Sequence, residues 1–100
     1  MAFEHINIRK ILGVALSNNA IIVDVRSKED FLNGHIPMAI NVPFDAIEGR
    51  RVRLPKGNML IVYCENGITS MRAARILDEL GYEVVNCVGG MKNYNGSLTK

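Results

Sequence analysis

The stretch Met59-Leu60-Ile61-Val62-Tyr63, then Cys64-Glu65-Asn66-Gly67-Ile68-Thr69, then Ser70-Met71-Arg72-Ala73-Ala74-Arg75-Ile76-Leu77-Asp78-Glu79-Leu80, changes periodicity twice. Its opening run is apolar, β-branched or aromatic, the composition of a strand buried on both faces. In its closing run Ala73, Ala74, Ile76, Leu77 and Leu80 recur at three-to-four spacing, while Arg72, Arg75, Asp78 and Glu79 take the other side. That spacing predicts an amphipathic helix over 70–80, ended by Gly81 as a C′ glycine. A short polar loop joins the two, and it begins with a cysteine.

Outward from this unit, Ile21-Ile22-Val23 and Val84-Val85 repeat the buried-strand composition, and weaker strands fall at Ala39-Ile40-Asn41-Val42 and around His5-Ile6-Asn7. Ile8 to Leu16 reads as a second helix, with Ile8, Ile11, Leu12, Ala15 and Leu16 on one stripe; Lys28 to Asn33 and Phe44 to Arg50 read as short helices. Strands alternating with helices imply an α/β fold with a mainly parallel sheet. Ligands of such sheets bind beyond the carboxyl ends of the strands, which directs attention to the segments just after Asp24, Tyr63 and Val88.

A chain of 100 residues has room for one core, so residues 1–100 are expected to form a single domain. Hydrophobic residues at 48% and charged residues at 22% are ordinary globular usage. The formal net charge of +2 gives no field that argues for nucleic acid. The cluster Arg50, Arg51 and Arg53 reads as a solvated loop that could help to attract an anionic donor. No apolar run has the length of a signal h-region or a membrane span, so no membrane association and a cytoplasmic location are expected. Cys64 and Cys87 are too few for a disulfide framework, and with His5 and His35 they show no zinc spacing, so no metal is expected. No glycine-rich phosphate motif is present, and no cofactor is called for.

Cys64 stands where the strongest strand stops and just before the best helix. A sulfur there faces backbone N–H groups of a tight loop and the positive end of a helix, and both stabilise negative charge. Gly67 permits the turn, and Ser70 is the expected N-cap. A lone cysteine is more often a small apolar residue closing a strand. Strand, cysteine, loop and helix in this order also suit a cysteine phosphatase or an arsenate reductase.

From Asp24 to Tyr94 the sequence resembles the rhodanese family. Asp24-Val25-Arg26, Gly34-His35-Ile36-Pro37 and Asn41-Val42-Pro43 are similar to its first signature, Tyr63 to Ser70 to its active loop, and Gly81-Tyr82 with Gly89-Gly90-Met91 to its closing pattern. The resemblance implies a rhodanese-like five-stranded parallel sheet flanked by helices on both faces, with Cys64 as a persulfide-forming nucleophile. It implies that Glu65, Asn66, Gly67, Ile68, Thr69 and Ser70 cradle the transferred sulfur through their N–H groups. The related phosphatases resemble this unit but carry arginine six positions after the cysteine, where guanidinium grips phosphate. Ser70 stands there, and the first later arginine is Arg72.

Three residues depart from the family pattern: Glu65 where a basic residue is common, Met38 where glycine is common, and Tyr94 where tryptophan is usual. Glu65 would oppose a dianionic donor such as thiosulfate; the other two read as packing changes. Asp24 and Arg26 read as a structural ion pair holding the next loop, His35 as a loop-fixing hydrogen-bonding residue, and Cys87 as a buried apolar residue.

The expected activity is transfer of sulfane sulfur from a small donor to cyanide or a thiol acceptor, in a monomer or weak dimer. The alternatives are a rhodanese-like relay or interaction module served by a protein persulfide donor, and an arsenate reductase or phosphatase.

Overall fold

The computed structural model describes residues 3–100. Its strands are β1 (Glu4–Asn7), β2 (Ile21–Asp24), β3 (Ile40–Asn41), β4 (Leu60–Tyr63) and β5 (Val84–Val88). Its helices are α1 (Ile11–Asn18), α2 (Lys28–Leu32), α3 (Phe44–Glu48) and α4 (Ile68–Glu79), with 3₁₀ turns at Ile8–Lys10 and Met91–Asn93.

The five strands make one sheet in the order β1-β5-β4-β2-β3, and every neighbouring pair is parallel. All carboxyl ends therefore lie on one edge. The central strand β4 is buried at every position, as its unbroken apolar sequence requires when helices cover both faces. Leu60, Val62 and Cys64 look into a core completed by Ile47 of α3 and by Ala73, Ala74 and Leu77 of α4. Ile61 and Tyr63 look into the opposite core, with Ile8, Ile11 and Ala15. This period-two alternation puts the two cysteines on opposite sides, because Cys87 belongs to the Tyr63 face.

Helix α4 is held by its small and branched stripe; burying Leu77 alone contributes about 2 kcal/mol. It ends in a Schellman arrangement, in which Gly81 N–H donates to Asp78 O at 3.0 Å and Tyr82 N–H to Leu77 O at 3.1 Å. Lys56 adds a further cap, its Nζ donating to Leu80 O at 2.6 Å.

Two details differ from the sequence reading. The segment from Ile8 begins as a 3₁₀ turn and becomes α-helical only at Ile11, and Leu16 is 71% exposed rather than part of the stripe. Leu16 is five residues beyond Ile11, about 140° round the helix, so it cannot share the face of Ile11 and Ala15. Helix α4 starts at Ile68, two residues before the expected Ser70, for a reason that lies in the site. No helix among the described residues is long and apolar enough to cross a membrane.

Candidate active site

Asp24, Asn41 and Tyr63 stand side by side, because β2 pairs Asp24 with Tyr63 on one flank and with Asn41 on the other. All three ends are polar and all three are tied together. Tyr63 Oη donates to Asp24 Oδ2 at 2.6 Å and accepts from Ile36 N–H at 3.1 Å. Asn41 Nδ2 donates to the carbonyls of Asp24 and Arg26, each at 3.0 Å. Burial, then the hydrogen bond and charge of Asp24, push the Tyr63 phenol well up, so it stays a neutral donor.

Arg26 closes this network. Its Nη2 lies 2.8 Å from Asp24 Oδ2 and 2.7 Å from Gly34 O, and its Nε reaches both Asp24 carboxylate oxygens at 3.1 Å. Burial works against the guanidinium charge, but hydrogen bonding and attraction from Asp24 outweigh it and hold Arg26 above its ordinary value. The Asp24–Arg26 pair is thus structural, as the sequence suggests, and it clasps the segment that carries Gly34-His35-Ile36-Pro37. His35 has the loop-fixing part expected of it: Nδ1 is 2.9 Å from Phe31 O, the ring stacks on Phe31, and the backbone bridges to Thr99.

Above this platform the chain leaves β4. Cys64 turns to the α4 side and is only 2% exposed. Its Sγ accepts the N–H of Gly67 at 3.1 Å and of Ser70 at 3.2 Å. Asn66 Oδ1 accepts the N–H of Ile68 at 3.0 Å. These contacts explain the early helix start. The first N–H groups of any helix lack intrahelical partners, and here the cysteine sulfur and the Asn66 amide supply acceptors that would otherwise come from a capping hydroxyl.

Ser70 is accordingly not the N-cap. Gly67, at φ 94°, holds that position; Ser70 is buried in the first turn, with Oγ donating to Gly67 O at 3.3 Å. The cradle expected from residues 65 to 70 is also narrower around the thiol than expected. Gly67 and Ser70 face the sulfur, Ile68 N–H is turned to Asn66, and the side chains of Glu65, Asn66 and Ile68 are exposed, with Thr69 half-buried between them.

Glu65 points the other way, as the alternation of the strand before it dictates: Oε1 lies 3.5 Å from Arg26 Nη1. This pairing was not read from the sequence. Its only signal there was a carboxylate beside the cysteine and an arginine after β2 that the sequence pairs with Asp24. The opposite wall of the loop is Gly89-Gly90. Met91 N–H donates to Cys64 O at 2.9 Å and Lys92 N–H to Glu65 O at 3.2 Å, so the 3₁₀ turn after β5 buttresses the loop. Gly90 sits at φ 60°, and a Cβ there would run into the Glu65 carbonyl and lie 2.7 Å from Asn66 N. No larger residue fits without moving the loop.

Cys87 is fully buried on the far face, and burial pushes its thiol up to about 12. It stays protonated in the core. Arg50, Arg51 and Arg53 are exposed, with Arg50 Nη2 3.4 Å from Glu79 Oε1, which fits a solvated loop.

A parallel α/β sheet that offers one recessed cysteine sulfur to the N–H groups of a following helix defines a class of cysteine-loop α/β proteins. Within that class, the Rhodanese-like domain family model matches residues 12–97, and the chain belongs to this family. It is 37% identical over 73 residues to the thiosulfate sulfurtransferase PspE of Escherichia coli, covering 71% of this chain and 70% of that one. It is 29% identical over 89 residues to the thiosulfate sulfurtransferase GlpE of Shewanella oneidensis, covering 89% and 88%. Among solved structures, a rhodanese-like domain protein from Staphylococcus aureus superposes with a TM-score of 0.83 at 28% identity, covering 97% of each chain. Other relatives are longer, and the chain spans 64%, 41% and 20% of three of them. Relatives named as sulfurtransferases support a rhodanese-type sulfurtransferase role.

Proposed function

We propose that residues 1–100 form one rhodanese domain in which Cys64 accepts sulfane sulfur, holds it as a persulfide and passes it to a thiophilic acceptor. The observation that carries this reading is the seating of Cys64 Sγ on the N–H groups of Gly67 and Ser70. Both donors are fixed by the turn and by the helix, so they need no reorganisation when charge develops on sulfur.

The transfer is ping-pong. Cys64 thiolate attacks the outer sulfur of the donor; the new S–S bond forms as the old one breaks, and the bonding pair leaves with the donor remnant. The transferred sulfur, now bonded to Cys64 Sγ, sits over the loop from Glu65 to Ser70, where the start of α4 and the loop amides favour its negative charge. In the second half, cyanide in the test tube or a thiol in the cell attacks the outer sulfur and returns Cys64 as thiolate. The two halves balance with the cysteine alone.

The phosphatase and arsenate reductase readings are disfavoured by the residue at the sixth position after Cys64. Ser70 is buried there, and Arg72, the first arginine beyond it, is turned to Glu48 at 3.7 Å and over the Phe44 ring. Cyanide-dependent thiocyanate formation should therefore be measurable and lost in Cys64→Ser, while hydrolysis of an aryl phosphate stays at background. The reverse ranking would place the chain with the phosphatases.

A further inference from the structure

The sulfur of Cys64 is recessed, so a donor meets the rim first. On the rim stand Glu65, whose side chain is 61% exposed, and the apolar side chains Ile68, 66% exposed, and Val88, 40% exposed. A Cβ on Gly67 would lie 3.9 Å from Val88 Cα, so the end of β5 flanks the loop; Met71, also exposed, continues the Ile68 face one turn along α4.

No lysine or arginine occurs from Cys64 to Met71. The guanidinium that reaches the loop is that of Arg26, and each of its three nitrogens already has an acceptor: Nε and Nη2 bond Asp24, Nη2 also Gly34 O, and Nη1 Glu65. Glu65 therefore acts twice. It puts a carboxylate at the mouth, and it occupies the cationic edge that could otherwise have met an anionic donor.

We propose that Glu65, held by Arg26, selects the sulfur donor: it disfavours dianions such as thiosulfate and leaves the site to persulfides on organic carbon, R–S–SH, whose carbon portion suits the apolar rim. The proposal rests on Cys64 being the sulfur acceptor. The step is Cys64–S⁻ plus R–S–SH giving Cys64–S–SH plus R–S⁻. The Cys64 Sγ–S bond forms, the bond between the two donor sulfurs breaks with its electron pair leaving on R–S⁻, and the proton stays on the transferred sulfur.

The test compares second-order rates of sulfur loading, followed by intact mass, from thiosulfate, a dianion, and from 2-hydroxyethyl persulfide, which carries at most one negative charge. It uses wild type, Glu65→Gln, Glu65→Lys and Glu65→Asp. Because Glu65 is exposed, the variants should fold, and melting curves check that. The thiosulfate-to-persulfide rate ratio should rise about threefold to tenfold in Glu65→Gln at low ionic strength, further in Glu65→Lys, and the gain should shrink with added salt. Glu65→Asp, which keeps the charge, should stay near wild type. An unchanged ratio in Glu65→Gln and Glu65→Lys, with Cys64 still loading, would overturn the selection and leave sulfur transfer standing. Failure of both donors to load wild-type Cys64 would instead overturn the sulfur-transfer reading, and the selection with it.

Discussion

The two cysteines of this chain show how one residue type takes opposite parts according to which side of a strand it leaves. Cys64 meets two N–H groups at a sheet edge, whereas Cys87 meets only hydrocarbon, and burial pushes its thiol from 9.0 to about 12. The unfolded chain releases the Cys87 proton above pH 9 while the folded chain keeps it, so the folded state binds more protons there. Stability from this source is intact below pH 9 and declines as pH rises toward about 12, with a slope of up to about 1.4 kcal/mol per pH unit. Tyr63 acts in the same direction from 10.0 upward. Urea unfolding of wild type and Cys87→Ala between about pH 8 and pH 11 separates the two contributions. The variant should be less stable at neutral pH yet lose stability less steeply on the alkaline side; parallel curves would show that Cys87 reaches solvent.

Among the elements, the loop after β4 depends on a partner far away in sequence, the turn at Gly89-Gly90. Gly90→Ala combines a positive φ with a collision against the backbone of Glu65 and Asn66, and should cost about 2–4 kcal/mol. Because the loop itself must give way, sulfur loading should fall with it. Met38 presents the opposite case. It lies at φ 72° with its side chain exposed, so it carries left-handed strain without visible compensation. Met38→Gly should stabilise the fold by about 1 kcal/mol and leave loading rates within twofold or so. Thermal melts of the two variants check both signs, and a destabilised Met38→Gly would mean that the methionine side chain makes a contact that offsets its backbone strain.

For the molecule as a whole, strand composition and helical spacing were enough to place β2, β4, β5 and α4 and to predict a parallel sheet, because each of these elements buries a continuous or periodic apolar surface. Cys64 could be placed for the same reason: a strand that stops at a cysteine before a glycine-containing loop and a helix leaves the sulfur little choice of surroundings. What sequence reading missed were contacts set by tertiary geometry. The helix start moved from Ser70 to Ile68 because the Cys64 sulfur and the Asn66 amide oxygen, not a hydroxyl, accept the first free N–H groups. Glu65 was read as a charge opposing a dianionic donor, and local pattern could not reveal that Arg26 holds it. Leu16 left its stripe because, five residues beyond Ile11, it lies about 140° round the helix from that buried face.

These placements meet in one claim, that sulfur is carried on Cys64 and nowhere else. Intact mass before and after incubation with a sulfane donor, on wild type, Cys64→Ser and Cys87→Ser, addresses it directly. Wild type and Cys87→Ser should each gain the mass of one sulfur atom, lost again on adding cyanide, and Cys64→Ser should gain none. Loading of Cys64→Ser, or equal loss of loading in both variants, would contradict a single-cysteine carrier and require Cys87 to leave the core and take part.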